Sequence, residues 1–261
     1  MDLSSYNLTL QALITILSPI ETELWIVQQV RGRVNQWDMM NDEGVSVVLG
    51  TYNRLKFLRL TVQSIREELR EASFSHEIIV IDGGSTDGTL EWLPKQRDIL
   101  TIIQHNHGTW QGRPIPRRSW GYFMNLGFKT AKGKYVCMLS DDCLVVPGSI
   151  IRGYDLFQAK LKAGDKIGYM PFYWREWPMQ EKYGVVLTVG NRYLLNHGLF
   201  LKEALEEVNY IDEENYMFYQ ADSDLCLRIL QKGYGTTVSE ESYIEHYSHA
   251  NTRVRKSNLD T

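Results

Sequence analysis

The stretch VSVVLGTYNRLKFLRLTVQSIREELREASFSHEIIVID, Val45–Asp82, decides the fold. It opens with VSVVLG (45–50), a short β-branched run ending in glycine, which reads as a buried strand. Residues 54–72 then place Leu55, Leu58, Val62, Ile65 and Leu69 on one helical face. HEIIVID (76–82) is a second buried strand. Strand, amphipathic helix and strand in this order make a β-α-β unit, the building block of a parallel sheet.

The alternation continues outward. ILTIIQH (99–105) predicts a third strand, residues 119–133 a helix ended by Gly133, and KYVCMLS (134–140) a fourth strand. Beyond it, KIGYMPFYWREWP (166–178) is a strand running into an aromatic loop. Residues 220–234 start acidic, with Asp222 and Asp224 in the first turn, where a helix dipole favours negative charge. Residues 236–249 hold a short final strand and two histidines. The expected class is α/β, a Rossmann-like mixed sheet flanked by helices. Residues 1–43 differ: Ser18 at an N-cap, Pro19 and Glu21 open a helix that carries Leu24, Val27, Val30 and Val34 at helical spacing. That helical extension can dock on its own domain, the favoured reading, on a partner subunit or on a membrane surface. Residues 251–261 form a tail.

The chain has 261 residues and a formal charge of −4, which argues against general attraction to nucleic acid. No run approaches the roughly 18 apolar residues of a membrane span. The N-terminus lacks the basic flank of a signal peptide. Cys137, Cys143 and Cys226 form no CxxC and no Cys/His pair at zinc spacing. So sparse a set suits a reducing compartment, and a cytoplasmic location is expected, with peripheral membrane contact left open. Cys137 and Cys226 sit in apolar runs and read as buried small hydrophobes.

In open α/β sheets, ligands bind beyond the carboxyl ends of the strands. Three strands end at GTYNR, DGGSTDG and SDDC, on one rim if they are parallel neighbours. That rim would carry Tyr52, Asp82, Asp87, Asp141 and Asp142. Adjacent carboxylates repel, and an acidic edge suits a divalent cation with oxygen ligands. Local chemistry offers plainer roles as well. Asp141 and Asp142 could be an exposed turn before Pro147, Asp82 could open an Asx-turn, and Asp87 could cap a helix. Asp222 or Asp224 could be a capping carboxylate. His246 could be structural, with His249 its competitor.

Taken together, the order and spacing of VSVVLGTYNR, IIVIDGGSTDGT, AKGKYVCMLSDDCLVVPG, QADSDLCLRILQKGY and IEHY resemble family 2 glycosyltransferases of the GT-A fold, from Val45 to His246. The resemblance implies one domain over 44–250, with a nucleotide-binding half (44–148) and an acceptor-binding half (149–250). It implies an inverting, metal-dependent, non-processive transfer of a sugar from a UDP-, GDP- or dTDP-sugar to a carbohydrate or other hydroxyl acceptor, in polysaccharide or glycan biosynthesis. By motif match, Thr51 and Tyr52 would hold the base, Asp82 the base or ribose, and Asp141 the ribose or an outer-shell water. Asp142 and His246 would hold Mn²⁺ or Mg²⁺, and Asp222 would be the catalytic base. Arg118 falls near a nucleotide-binding position, in a loop carrying Arg113 and Arg117 that could close as a lid. Ser140 and Ala221 depart from the family's DxD and ED motifs, which keeps a non-catalytic sugar-binding or scaffold role as the alternative. A sugar-phosphate nucleotidyltransferase ranks low, because GTYNRLKF lacks a Gly-rich phosphate loop. Acceptor contacts are expected within 171–200, where Tyr173, Trp174, Trp177 and Tyr183 can stack on sugars.

Overall fold

A computed structural model describes Ile26–Gln28 and residues 43–247, Val189 excepted. Its first half runs β1 (Ile26–Gln28), β2 (Val45–Thr51), α1 (Leu55–Arg70), β3 (His76–Asp82), α2 (Thr89–Trp92), β4 (Ile99–Ile103), β5 (Thr109–Trp110), β6 (Arg113–Pro114), α3 (Trp120–Thr130), β7 (Tyr135–Ser140) and β8 (Cys143–Val145). The second half runs α4 (Ser149–Lys162), β9 (Ile167–Glu176), β10 (Val186–Leu187), β11 (Tyr193–Leu194), β12 (Gly198–Leu201), α5 (Lys202–Glu207), α6 (Ala221–Gln231), β13 (Gly235–Thr236) and β14 (Ser239–His246). The α/β reading holds, and each expected strand and helix from Val45 onward lies within a few residues of its predicted bounds.

Ten strands join one mixed sheet in the order β1-β4-β3-β2-β7-β12-β9-β14-β8, with β13 beside β9, and β5-β6 and β10-β11 form two separate two-stranded sheets. β2 pairs in parallel with β3 and β7, and β3 with β4. The sheet then turns antiparallel through β12 and ends with β14 parallel to β9 and antiparallel to β8. The parallel strands are buried on both faces, as their unbroken apolar runs require.

Helix α1 buries Leu58, Val62, Ile65 and Leu69 against the sheet. Each such side chain contributes about 1.5–3 kcal/mol of burial. The same face also buries Thr61 and Glu68, which the apolar periodicity did not reveal. Both are hydrogen-bonded, so neither is a buried orphan. Helix α3 begins at Ser119, whose hydroxyl accepts from Tyr122 N–H, and it lies so close to the sheet that a Cβ on Gly127 would meet Val48 and Ile81.

One expectation is corrected. Ile26–Gln28, inside the stretch expected to be helical, is a strand antiparallel to β4, with Ile26 opposite Ile103 and Gln28 opposite Thr101. The edge of β4 offers unpaired backbone groups that a strand satisfies and a docked helix does not. Ser18, Pro19, Glu21, His249 and residues 251–261 lie outside the described residues.

Candidate active site

Because β2, β3 and β7 are parallel neighbours, their carboxyl ends share one rim. A cleft of about 230 Å³ opens there, lined among others by Thr51, Tyr52, Arg118, Asp141, Asp142, Asp222 and His246. Seven of the eight expected site residues thus meet at one opening. The eighth, Asp82, does not line it.

Asp141 and Asp142 follow β7 and are almost fully buried. Helix α1 holds this turn from behind. Thr61 Oγ1 donates to the Asp141 carbonyl (2.9 Å) and accepts from Cys143 N–H (3.1 Å). Ser64 Oγ accepts from Val145 N–H (3.1 Å), and Glu68 accepts from Gly148 and Ile151 N–H. On the far side, Tyr247 N–H donates to the Asp142 carbonyl (2.9 Å).

The two carboxylates share a cation supplied by the chain. Arg54 Nη1 donates to Asp141 (2.9 Å) and to Asp142 (3.2 Å). Thr51 Oγ1 donates to the other Asp141 oxygen (2.7 Å). Burial, aided by the charge of Asp142, pushes the Asp141 carboxyl up to about 6 against the pull of Arg54. For Asp142, burial also pushes upward, but His246 and Arg54 outweigh it and hold the carboxyl below its ordinary range. The pair therefore titrates as a unit, with Asp142 ionised first. Asp142 Oδ1 has no hydrogen-bond partner among the described residues, although His246 Nε2 stands 3.4 Å away. A buried carboxylate oxygen facing an imidazole nitrogen fits a divalent cation at this position.

Asp222 lies in the first turn of α6 and faces the cleft. Its Oδ1 accepts from Ser223 N–H (2.8 Å), Asn196 Nδ2 stands 3.5 Å from Oδ2, and burial raises its carboxyl above the ordinary range. Asp224, one turn face away, is committed elsewhere: it receives Arg228 Nε (2.7 Å) and Tyr216 Oη (3.4 Å). Of these two aspartates, left open by local spacing, Asp222 lines the cleft and Asp224 does not.

Asp82 is the expected site residue that does not line the cleft. It is fully buried, and its oxygens accept from Gly84 N–H, Ser85 N–H and Ser85 Oγ at 2.6–2.7 Å. It closes the DGGS turn as an Asx-turn, and these bonds occupy both of its oxygens. Asp87 caps two helices, accepting from Thr89 N–H (3.2 Å) and Leu55 N–H (2.8 Å). Tyr52 lines the cleft, with one side over Gly83 and its ring stacked on His107 at 4.8 Å. Arg118 is exposed at the mouth, its guanidinium 5.2 Å from the Tyr122 ring centre. Asn106 ties the two ends of the 106–118 loop, accepting from Arg118 N–H (2.6 Å) and donating to the Arg118 carbonyl (3.2 Å). Of the four aromatics expected near an acceptor, Trp174 packs edge-on against His197 and His246, and Tyr173 and Tyr183 pack on Tyr243. Trp177 is the exposed one of the four.

Residues 46–200 match the family described as Glycosyl transferase family 2, more than half of the chain. The chain belongs to glycosyl transferase family 2. An uncharacterized glycosyltransferase of Rickettsia bellii (strain RML369-C) is 32% identical over 109 residues, 41% of this chain and 14% of that protein. The chondroitin synthase of Escherichia coli is 29% identical over 112 residues, 41% of this chain and 14% of the synthase. The matched region of this chain is thus about a seventh of the length of these relatives. Its fold resembles that of S. aureus TarS 1–349 in complex with UDP-GlcNAc, with a TM-score of 0.57 and 16% identity over 77% of this chain and 58% of TarS. Among the described residues, no helix is long and apolar enough to cross a membrane.

Proposed function

We propose that the cleft binds a nucleoside-diphosphate sugar and transfers the sugar, with inversion, to a hydroxyl acceptor in glycan or polysaccharide synthesis. The observation that carries this reading is the facing of Asp222 and the Asp141–Asp142 pair across one cleft. Asp222, its carboxyl raised by burial, takes the proton of the acceptor hydroxyl. The acceptor oxygen forms a bond to the anomeric carbon from the face opposite the leaving group. The bond from that carbon to the diphosphate oxygen breaks, and the nucleoside diphosphate departs.

Thr51 and Tyr52, which line the cleft, would hold the nucleoside, and base stacking on Tyr52 requires His107 to move aside. Asp141 serves the ribose or an outer-shell water. Arg118, at the mouth of the cleft, is suited to bidentate bonds with phosphate oxygens. Asp142 and His246 would hold Mn²⁺ or Mg²⁺, which when bound would offset negative charge developing on the diphosphate. The relatives' names and the UDP-GlcNAc complex of TarS support a nucleotide-sugar donor and a glycan product.

One observation favours the second reading, a sugar-binding or scaffold protein. Arg54 already bonds both aspartates and offsets one of their two charges, so the chain itself fills part of an ion's role. A thermal-shift panel of UDP-, GDP- and dTDP-sugars with Mn²⁺, followed by nucleoside-diphosphate release with a hydroxyl acceptor, separates the two. Stabilisation by one donor class, and turnover that EDTA abolishes and Mn²⁺ restores, is the expected result. Stabilisation without turnover in any ion supports the scaffold, and turnover indifferent to chelation removes the ion-binding role of Asp142.

A further inference from the structure

Behind the aspartate turn, three strand ends bring together Cys143, His197 and His246, all buried. Their ligand atoms lie within 4.8 Å of one another. Cys143 opens β8 and His246 closes β14, and the two are direct partners in the antiparallel register. His197 immediately precedes β12, and its carbonyl accepts from Phe172 N–H of β9 (2.8 Å). The positions are therefore fixed by sheet hydrogen bonds, the kind of support a precise ligand set needs.

We infer that Cys143, His197 and His246 form a binding site for a borderline-soft divalent ion of the Zn²⁺ class, with Asp142 as a fourth ligand. Cys143 Sγ already stands 3.6 Å from His197 Nε2. A tetrahedral zinc separates neighbouring ligand atoms by about 3.3–3.6 Å, from Zn–S near 2.3 Å and Zn–N near 2.0 Å. Side-chain adjustments of the order of an ångström therefore close the set. Asp142 Oδ1 faces His246 Nε2 at 3.4 Å. Trp174 stands edge-on to both imidazoles, at 5.6 Å from His246 and 6.1 Å from His197, and shuts water out on that side.

Ligand chemistry selects the ion. A thiolate and two imidazoles favour Zn²⁺ or Co²⁺ and disfavour Mg²⁺, which demands oxygen. On binding, the Cys143 thiol proton passes to solvent and the sulfur coordinates as thiolate. A set of four protein ligands leaves no open position, the mark of a structural rather than a reacting ion. It also uses Asp142 and His246, so a Zn²⁺ held here competes with any hard cation that the cleft recruits. The inference does not depend on the transferase reading, because the ligand set stands whether or not sugar is moved.

The test is Co²⁺ titration of the full-length, EDTA-dialysed, reduced protein, read by absorption. The expected result is one Co²⁺ per chain, with a thiolate-to-cobalt charge-transfer band and the intense visible bands of tetrahedral cobalt, all displaced by Zn²⁺. Cys143→Ser should abolish the charge-transfer band, and His197→Ala should weaken Zn²⁺ binding roughly tenfold or more. Cys137→Ser, a buried thiol outside the cluster, should leave the spectrum unchanged. Zinc-edge X-ray absorption on the wild-type protein needs no variant and should find one sulfur among the ligands. Co²⁺ bound without a thiolate band, a zinc shell without sulfur, or no binding of either ion overturns the inference. In the first of these cases, oxygen and imidazole binding at Asp142 and His246 would remain intact.

Discussion

Arg54 changes how the two aspartates are understood. Adjacent carboxylates suggested an ion, and the residue that meets them is a guanidinium at the start of α1. Removing it by Arg54→Met leaves a buried, uncompensated acidic pair, a change that costs about 3–5 kcal/mol when one partner of a buried ion pair is lost. Urea denaturation at neutral pH should show that loss, and saturating Mn²⁺ should recover part of it. A midpoint unchanged by the substitution would mean that Arg54 is not the counter-ion. At the proposed catalytic position, Asp222→Asn should lower turnover by about 10²–10⁴ while donor affinity, read by thermal shift, survives. Because burial raises this carboxyl, the acidic limb of kcat should fall above the ordinary carboxylate range. Full activity in the variant would move the base elsewhere.

Helix α1 presents a polar seam, Thr61, Ser64 and Glu68, to the segment that carries the aspartates. Thr61→Val keeps the shape and removes a donor to the Asp141 carbonyl and an acceptor for Cys143 N–H. Leaving those groups unsatisfied should cost about 1–3 kcal/mol in denaturant unfolding and weaken donor binding. An unchanged midpoint would show that water replaces the hydroxyl. Strand β12 depends on Gly198, at φ +147°, where a Cβ would meet the Met170 carbonyl at 2.2 Å. Gly198→Ala should destabilise the sheet by roughly 1–3 kcal/mol, measured as a fall in Tm. This glycine lets β12 fit between β7 and β9 and so sets His197 against Cys143.

Across the whole molecule, the buried acidic groups make stability depend on pH in a direction that can be worked out. Asp141 binds its proton more tightly folded than unfolded, with a folded value of about 6. Between the unfolded value of roughly 4 and that value the native state holds more protons, so stability falls as pH rises. The fall attributable to Asp141 is on the order of 2–3 kcal/mol. Asp82 and Asp222, also raised by burial, add slope of the same sign. Asp142, held low, acts oppositely and only below the ordinary carboxylate range. Urea midpoints from pH 4 to 7 should therefore decline in the native sequence and decline less in Asp141→Asn; parallel curves would refute the assignment.

The β-α-β order and the strands that build the core were legible in the sequence, because periodicities of two and 3.6 residues are local properties of the chain. The rim with Tyr52, Asp82, Asp87, Asp141 and Asp142 was legible only on the condition that its strands are parallel neighbours, which the tertiary structure decides. The roles of Asp82 and Asp87 were legible only as alternatives, because a turn carboxylate and a ligand carboxylate occupy the same local pattern. Arg54 stood in view beside an acidic rim, but pattern does not say where a long side chain reaches. The strand at Ile26–Gln28 was missed because helical spacing in that segment says nothing of the open edge of β4 beside it. The clearest contrast lies with Cys143, His197 and His246. No spacing along the chain marks them as a ligand set. Strand order and register alone put them within reach of one another, because the hydrophobic pattern fixes which face is buried but leaves open which strands meet across it.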